Sequence, residues 1–261
     1  MLKKFLIIYI SCLSCAGLGH FPVDAVQTNS IDPITSSPLA TITVLNVHQG
    51  EATLIETING LKILIDAGNY DDGAAALLDV LKQKNIYHLD YVFLTHFDLD
   101  HYGGLLHFGD EISISHLYDR GRDVFDQNYY YQLYEDFFDT KRKNIIEGTI
   151  FDLDTIQIKV IWVNGAPDST EENDNGAVFL IECSRTRFLN MGDLPSKSHE
   201  DTVTNDIDNN IGILTGDIDL LHVGHHGSSY STSTTLLELT KPEAAFISVG
   251  NNNRYGHPTQ A

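Results

Sequence analysis

The sequence predicts an α/β (α+β) fold in four layers, an αββα sandwich in which two β-sheets pack face to face and helices cover their outer sides. Strand-length apolar runs come in two blocks, each followed by segments of helical spacing. The chain has 261 residues and is 42% hydrophobic, enough for one large domain with a substantial core. No internal repeat is visible.

The N-terminal segment reads as an address. Lys3 and Lys4 are basic, Phe5 to Leu18 is an apolar run of signal-peptide length, and Val23-Asp24-Ala25 offers a small-residue cleavage site. Residues 1–25 are therefore expected to be an export signal, and the protein to be secreted or periplasmic. The apolar run is too short for a comfortable membrane span. Cys15 leaves lipoprotein anchoring as an alternative, although Cys12 stands where a Leu usually precedes a lipid-accepting Cys. Residues 26–40, rich in Ser, Thr and Pro, read as a linker. Residues 41–261 form the expected domain. Export would leave Cys183 as its single cysteine, a strand thiol that cannot form an internal disulfide.

Ile42 to Val47 and Ala52 to Thr57 alternate as strands about a turn at Gln49-Gly50. Asn59-Gly60 signals a hairpin into Leu61 to Ile65. Gly73 to Lys84 has helical spacing, with Ala74, Leu77, Leu78 and Leu81 on one face. Tyr91 to Leu94 is a short buried strand. Between Glu111 and Ile146 the pattern is weak, apart from an aromatic stretch from Asp126 to Phe138. There Tyr130, Tyr134, Phe137 and Phe138 fit one helical face, either packed on the core or forming a lid that stacks on a ligand. Strands resume from Phe151 to Val163, Ala177 to Cys183 and Phe188 to Asn190. Glu200 to Asn210 reads as a polar surface excursion, with His199 also on the surface. Ile218 to Val223 is a strand, Thr232 to Thr240 a helix, and Ala244 to Val249 the last strand.

The chemistry concentrates after the strand Tyr91 to Leu94. His96, Asp98, Asp100 and His101 place four potential metal ligands within six residues, ahead of a tight turn at Gly103-Gly104. Imidazole nitrogens and carboxylate oxygens at that density suit one or two borderline or hard divalent cations. The pair His225-His226 at a Gly-flanked strand end adds a metal or acid–base signal, and which of the two turns inward stays open. The net charge of −20 disfavours nonspecific contact with nucleic acid or anionic lipid. Lys141-Arg142-Lys143 is the only run of three basic residues. No protein partner is evident.

The pattern His-x-Asp-x-Asp-His-x-Gly-Gly at His96 to Gly104 resembles that of the metallo-β-lactamase-fold hydrolases. Leu221 to Ser228 and Ser248 to Pro258 are similar to segments of the ComEC-like soluble hydrolase domains, and the similarity runs from about Ile42 to Pro258. It implies the sheet order of that fold and a hydrogen-bonding role for Asp66 beneath the metal loop. It also implies a dinuclear centre of two divalent ions, zinc or manganese, with His96 and Asp98 on one ion and Asp100 and His101 on the other. Asp193 would bridge them, and His257 with one of His225 or His226 would complete the set or protonate the leaving group. Asp100, His225 and His226 are the implied catalytic residues, and a hydroxide held between the ions would attack a phosphodiester, small or nucleic. Hydrolysis of an amide or lactone, including a β-lactam, and a non-catalytic metal-binding role are the alternatives. Two departures stand out. His48 and Glu51 replace residues usual in the first hairpin, where His48 is either a rim imidazole or an exposed turn residue. The usual third-motif His is missing near Asp174-Asn175, where Asn175 could be a neutral contact. Relatives also continue with a further helix and strand, which implies a shortened C-terminal end.

Overall fold

A computed structural model describes the backbone of residues 7–11 and the whole of residues 38–121, 128–164, 171–196, 207–251 and 253–259. The cleavage site, Cys15, His199 and most of the linker lie outside these residues.

Thirteen strands and five α-helices are found among the described residues. One sheet runs in the order β1 (Ile7–Ser11), β2 (Ala40–Leu45), β3 (Thr53–Thr57), β4 (Lys62–Ile65), β5 (His88–Phe93), β6 (Ser113–Asp119) and β7 (Arg142–Asn144). The other runs β13 (Ala244–Phe246), β12 (Leu220–His222), β11 (Thr186–Asn190), β10 (Ala177–Cys183), β9 (Ile156–Val163) and β8 (Ile150–Leu153). Each sheet contains an antiparallel meander, β2 to β4 and β8 to β11, with β1 added parallel to β2 in the first. Each then turns parallel, β4 to β7 and β11 to β13. Parallel neighbours need crossovers, and helices supply them: α1 (Asp72–Gln83), α2 (Leu99–Tyr102), α3 (Tyr129–Phe138), α4 (Ile207–Thr215) and α5 (Thr234–Thr240). Among the described residues no helix is long and apolar enough to cross a membrane.

Three separate apolar layers show why these sequences make four layers. Leu54, Leu64 and Val92 face α1 and α3 on one side. Ile55, Ile63, Ile65 and Phe93 face Ile158, Phe179, Ile181 and Phe188 of the other sheet. Val178, Leu180, Leu189 and Leu221 face Ile211 and Leu236 of the outer helices. Successive side chains in a strand point to opposite faces, so the central strands are apolar at nearly every position because both faces are covered.

Several expectations need correction. Ala40, assigned to the linker, begins β2. The expected export signal is not among them; of it only the backbone of Ile7–Ser11 is described, as a strand parallel to β2. The end of the expected polar excursion is helix α4, which buries Ile207, Asp208 and Ile211. The aromatic stretch is α3, capped by the Asn128 side chain accepting from the Tyr130 amide, and it packs on the core rather than forming a lid. Its buried face is Tyr131, Tyr134 and Phe138, while Phe137 is exposed.

Candidate metal centre

The site forms where the loops after the parallel strands of both sheets converge. β4 delivers Asp66, β5 delivers Thr95 and His96, β11 delivers Asp193, β12 delivers His225 and His226, and β13 delivers Ser248. A crevice beyond the carboxyl ends of parallel strands is where α/β sheets commonly hold ligands. Two glycines let the loops close. A Cβ on Gly50 would meet the Asp100 carbonyl oxygen at 2.2 Å, and one on Gly104 would meet the Ala67 carbonyl oxygen at 2.0 Å. Gly50 also has φ +126, a conformation open chiefly to glycine.

Three imidazoles are held in one manner. Asp66, fully buried, accepts from the Thr95 amide at 2.8 Å and from its hydroxyl at 2.7 Å, and its Oδ2 lies 2.8 Å from His101 Nδ1. The Thr95 hydroxyl, having given its proton to Asp66, is left to accept from His96 Nδ1 at 2.9 Å. His226 Nδ1 donates to the Ser248 carbonyl at 2.7 Å. Each ring therefore has Nδ1 engaged and Nε2 turned inward.

The Nε2 atoms of His96, His101 and His226 and Oδ1 of Asp193 are all buried and make no hydrogen bond of good geometry, although oppositely charged groups stand 3.3 to 3.5 Å away. Buried polar atoms without such a bond are rare enough to need a cause. Potential ligand atoms of His96, His101 and Asp193 lie within 4.8 Å of one another, as do those of Asp100, His101 and His226. Asp193 reaches both sides, with Oδ1 3.3 Å from His101 Nε2 and Oδ2 3.3 Å from His226 Nε2. Metal-binding histidines characteristically tie their second nitrogen to a carboxylate, carbonyl or hydroxyl, so these residues fit divalent ions.

Electrostatics agree with that fit. Burial works against charge on Asp193, yet the His226 and His101 imidazoles hold its carboxyl well below the carboxylate range. Burial also opposes ionisation of Asp100, but contact with His226 and the charge of His101 bring it to about 2. Burial is the largest single influence and would lower His226 and His101, but the carboxylates together outweigh it, Asp193 with Asp100 pushing His226 to about 11 and Asp193 with Asp66 raising His101 well upward. Without metal, protons on these rings balance the carboxylates, and divalent cations would take their place.

The expected ligands are not placed equally. His226 is the member of the pair that turns inward, 3.3 Å from both Asp100 Oδ2 and Asp193 Oδ2. His225 is more open, its Nε2 3.9 Å from Asp193 Oδ2 and 3.4 Å from Asn173 Nδ2. Both adopt positive φ, 48° and 54°, and their rings stand 6.1 Å apart at 67° to each other. Asp98 is half-exposed and stands 3.5 Å from His96 Nε2, outside every such triplet among the described residues, including that of Glu51, Asp66 and His101. His257 lies at the rim, its ring 5.5 Å from that of His225. Burial lowers the pKa of both His225 and His257, favouring neutral imidazoles. Asn175 is buried and donates to the Glu171 carbonyl while accepting from Asn164. His48 is exposed at φ 60, a turn residue.

Supporting residues were missed from sequence. Glu172 accepts from the Phe97 amide at 2.7 Å and pairs with Arg120, bracing the metal loop from 75 residues away. Asn190 and His222 are buried against Glu51. The available signal was a polar residue ending an apolar strand, as in Phe188-Leu189-Asn190 and Leu220-Leu221-His222, because a buried polar group needs a partner.

Comparison with known proteins agrees with the geometry. A family model described as the metallo-beta-lactamase superfamily matches residues 45–250. ComE operon protein 3 of Bacillus subtilis is 28% identical over 242 residues, 84% of this chain and 29% of that protein. Recombination protein 2 of Haemophilus influenzae is 30% identical over 226 residues, 85% of this chain and 26% of that protein. The chain thus spans less than a third of the length of these relatives. Among solved structures, a variant of the CmlA beta-hydroxylase superposes with a TM-score of 0.52 at 10% identity, covering 82% of this chain and 47% of that one, a likeness of fold alone.

Proposed function

Because the chain belongs to the metallo-β-lactamase superfamily, we propose that it is a metal-dependent hydrolase of phosphodiester bonds with a preference for small substrates. The observation that carries the metal dependence is the convergence of the buried Nε2 atoms of His96, His101 and His226 on Asp193. When bound, two divalent ions would supply a hydroxide at neutral pH and stabilise charge at the reacting centre. The mixed donor set, Asp100 and Asp193 beside three histidines, suits zinc or manganese and phosphoester chemistry. His225 and His257, kept neutral by burial and nearer solvent, would serve as proton acceptors beside the reacting centre rather than as the acid for the leaving oxygen.

The preference for small substrates rests on charge. A surface of net charge −20 repels a long polyanion beyond the reach of the ions. Arg142, within the only basic run of three, is engaged with Asp119 and Glu135. The test compares kcat/KM on bis(p-nitrophenyl) phosphate, a dinucleotide, plasmid DNA and a β-lactam, with and without chelator, at two salt concentrations. The expected result is chelator-sensitive turnover of the small phosphodiesters. Faster cleavage of plasmid, weakening steeply with salt, would overturn the size preference. Turnover of the β-lactam alone would overturn the phosphodiester reading.

Export belongs to the same reading and is supported by Lys3-Lys4, the apolar run to Leu18 and Val23-Asp24-Ala25. Mass spectrometry of the native protein should find an N-terminus near Val26, an intact Met1 on cytoplasmic protein would refute export, and a diacylated Cys15 would mean a lipid anchor.

A further inference from the structure

We infer that Glu51 is a positioning residue that sets the metal-facing orientation of Asp193 and His226 together. Glu51 is 2% exposed, in the turn between β2 and β3, and its carboxylate is withdrawn from nearly all the solvent that would ordinarily stabilise it. Two arms leave its Oε1. Along the first, Oε1 accepts from Asn190 Nδ2, and Asn190 Oδ1 accepts from the Gly192 amide at 3.0 Å. Gly192 is the residue before Asp193, so this arm fixes the backbone that aims the Asp193 carboxylate. Along the second, Oε1 lies 2.7 Å from His222 Nδ1, His222 Nε2 lies 2.8 Å from Ser248 Oγ, and the Ser248 carbonyl accepts from His226 Nδ1.

The backbone of the same residue ties the remaining loops. The Glu51 amide donates to the Asp100 carbonyl at 3.1 Å, and its carbonyl accepts from the Gly68 amide at 2.7 Å. Four loops that carry ligands or their supports thus meet at Glu51. Burying a carboxylate is costly unless donors are held firmly against it, so the partners it needs cannot drift without exposing that cost. The orientation of Asn190 and His222 is fixed for that reason, and both pass it on to the groups that face the ions. Partners of this kind typically change metal affinity 10–100-fold when removed.

This inference rests on the metal-centre reading, and its test reads metal binding rather than turnover. Metal-free wild type, Glu51→Gln, Glu51→Asp, Asn190→Ala and His222→Gln would be titrated with Zn²⁺ against a chelating indicator, and the Co²⁺ absorption spectrum of each recorded. Glu51→Gln is expected to weaken binding about 10–100-fold and alter the Co²⁺ spectrum while still taking two ions at saturation. Asn190→Ala and His222→Gln should each show part of that loss, and Glu51→Asp should recover part of it. If Glu51→Gln fails to fold by circular dichroism, the Asn190 and His222 variants read the two arms separately, and unchanged affinity in both would overturn the inference. Lower thermal stability with unchanged affinity and spectrum would make Glu51 merely structural and also overturn it. Loss of one ion outright in Glu51→Gln, with the other variants unaffected, would make Glu51 a ligand instead. A wild type that binds no ion would overturn the metal-centre reading itself, a result distinct from any of these.

Discussion

Asp66 and His101, 35 residues apart, are joined by an Oδ2–Nδ1 contact of 2.8 Å with neither side chain exposed to solvent. That contact decides which nitrogen of His101 faces Asp193. It also secures His96 indirectly, because the Thr95 hydroxyl that meets His96 Nδ1 is itself donated to Asp66.

Asp66→Ala should therefore release two imidazoles at once. Zn²⁺ affinity is expected to fall about 10–100-fold, and the metal-free protein to melt earlier because the Thr95 amide is left buried and unpaired. Calorimetric metal titration beside a thermal melt checks both. Unchanged affinity would show that Asp66 does not orient the ligands.

Gly104→Ala tests the closeness of the metal loop to the Asp66-Ala67-Gly68 turn. The added Cβ would sit 2.0 Å from the Ala67 carbonyl oxygen, a backbone atom that cannot swing aside. Destabilisation of about 1–3 kcal/mol in urea unfolding is expected, and a variant as stable as wild type would mean the two loops are further apart.

Acid stability depends in part on Glu56. Burial raises its carboxyl, but the Lys84 and Lys62 ammonium groups, at 2.6 and 3.0 Å, outweigh it and hold it below 4.5. A depressed carboxylate contributes stability that is complete above its ordinary value and lost as pH falls through the folded one. Wild type should exceed Glu56→Gln by about 0.5–1 kcal/mol at pH 7, a small margin because the lysines are partly exposed. The margin should vanish towards pH 3. Equal stability of the two proteins at pH 7 would remove the ion pairs from the account.

Strands were legible where both faces are covered, since Ile63 to Ile65 and Ala177 to Ile181 are buried apolar runs with no solvent side. The face of α3 was misread because aromatic residues were counted alike. Tyr131 and Tyr134 are buried because their hydroxyls find Arg142 and Asp119, whereas Phe137 was given a place on that face and lies exposed. Helix α4 escaped notice because it follows a polar stretch and buries few apolar side chains. The metal loop was legible because its ligands are contiguous. The Glu51, Asn190 and His222 cluster was not, because Glu51 and Asn190 lie 139 residues apart and meet only when the two sheets pack.

The central claim is that the buried ligand atoms gathered around Asp193 exist to hold divalent ions. Elemental analysis of the purified protein after reconstitution with zinc or manganese tests it most directly. Close to two ions per chain are expected, falling in Asp193→Ala with the fold intact by circular dichroism. Less than half an equivalent in the wild type would contradict the dinuclear centre.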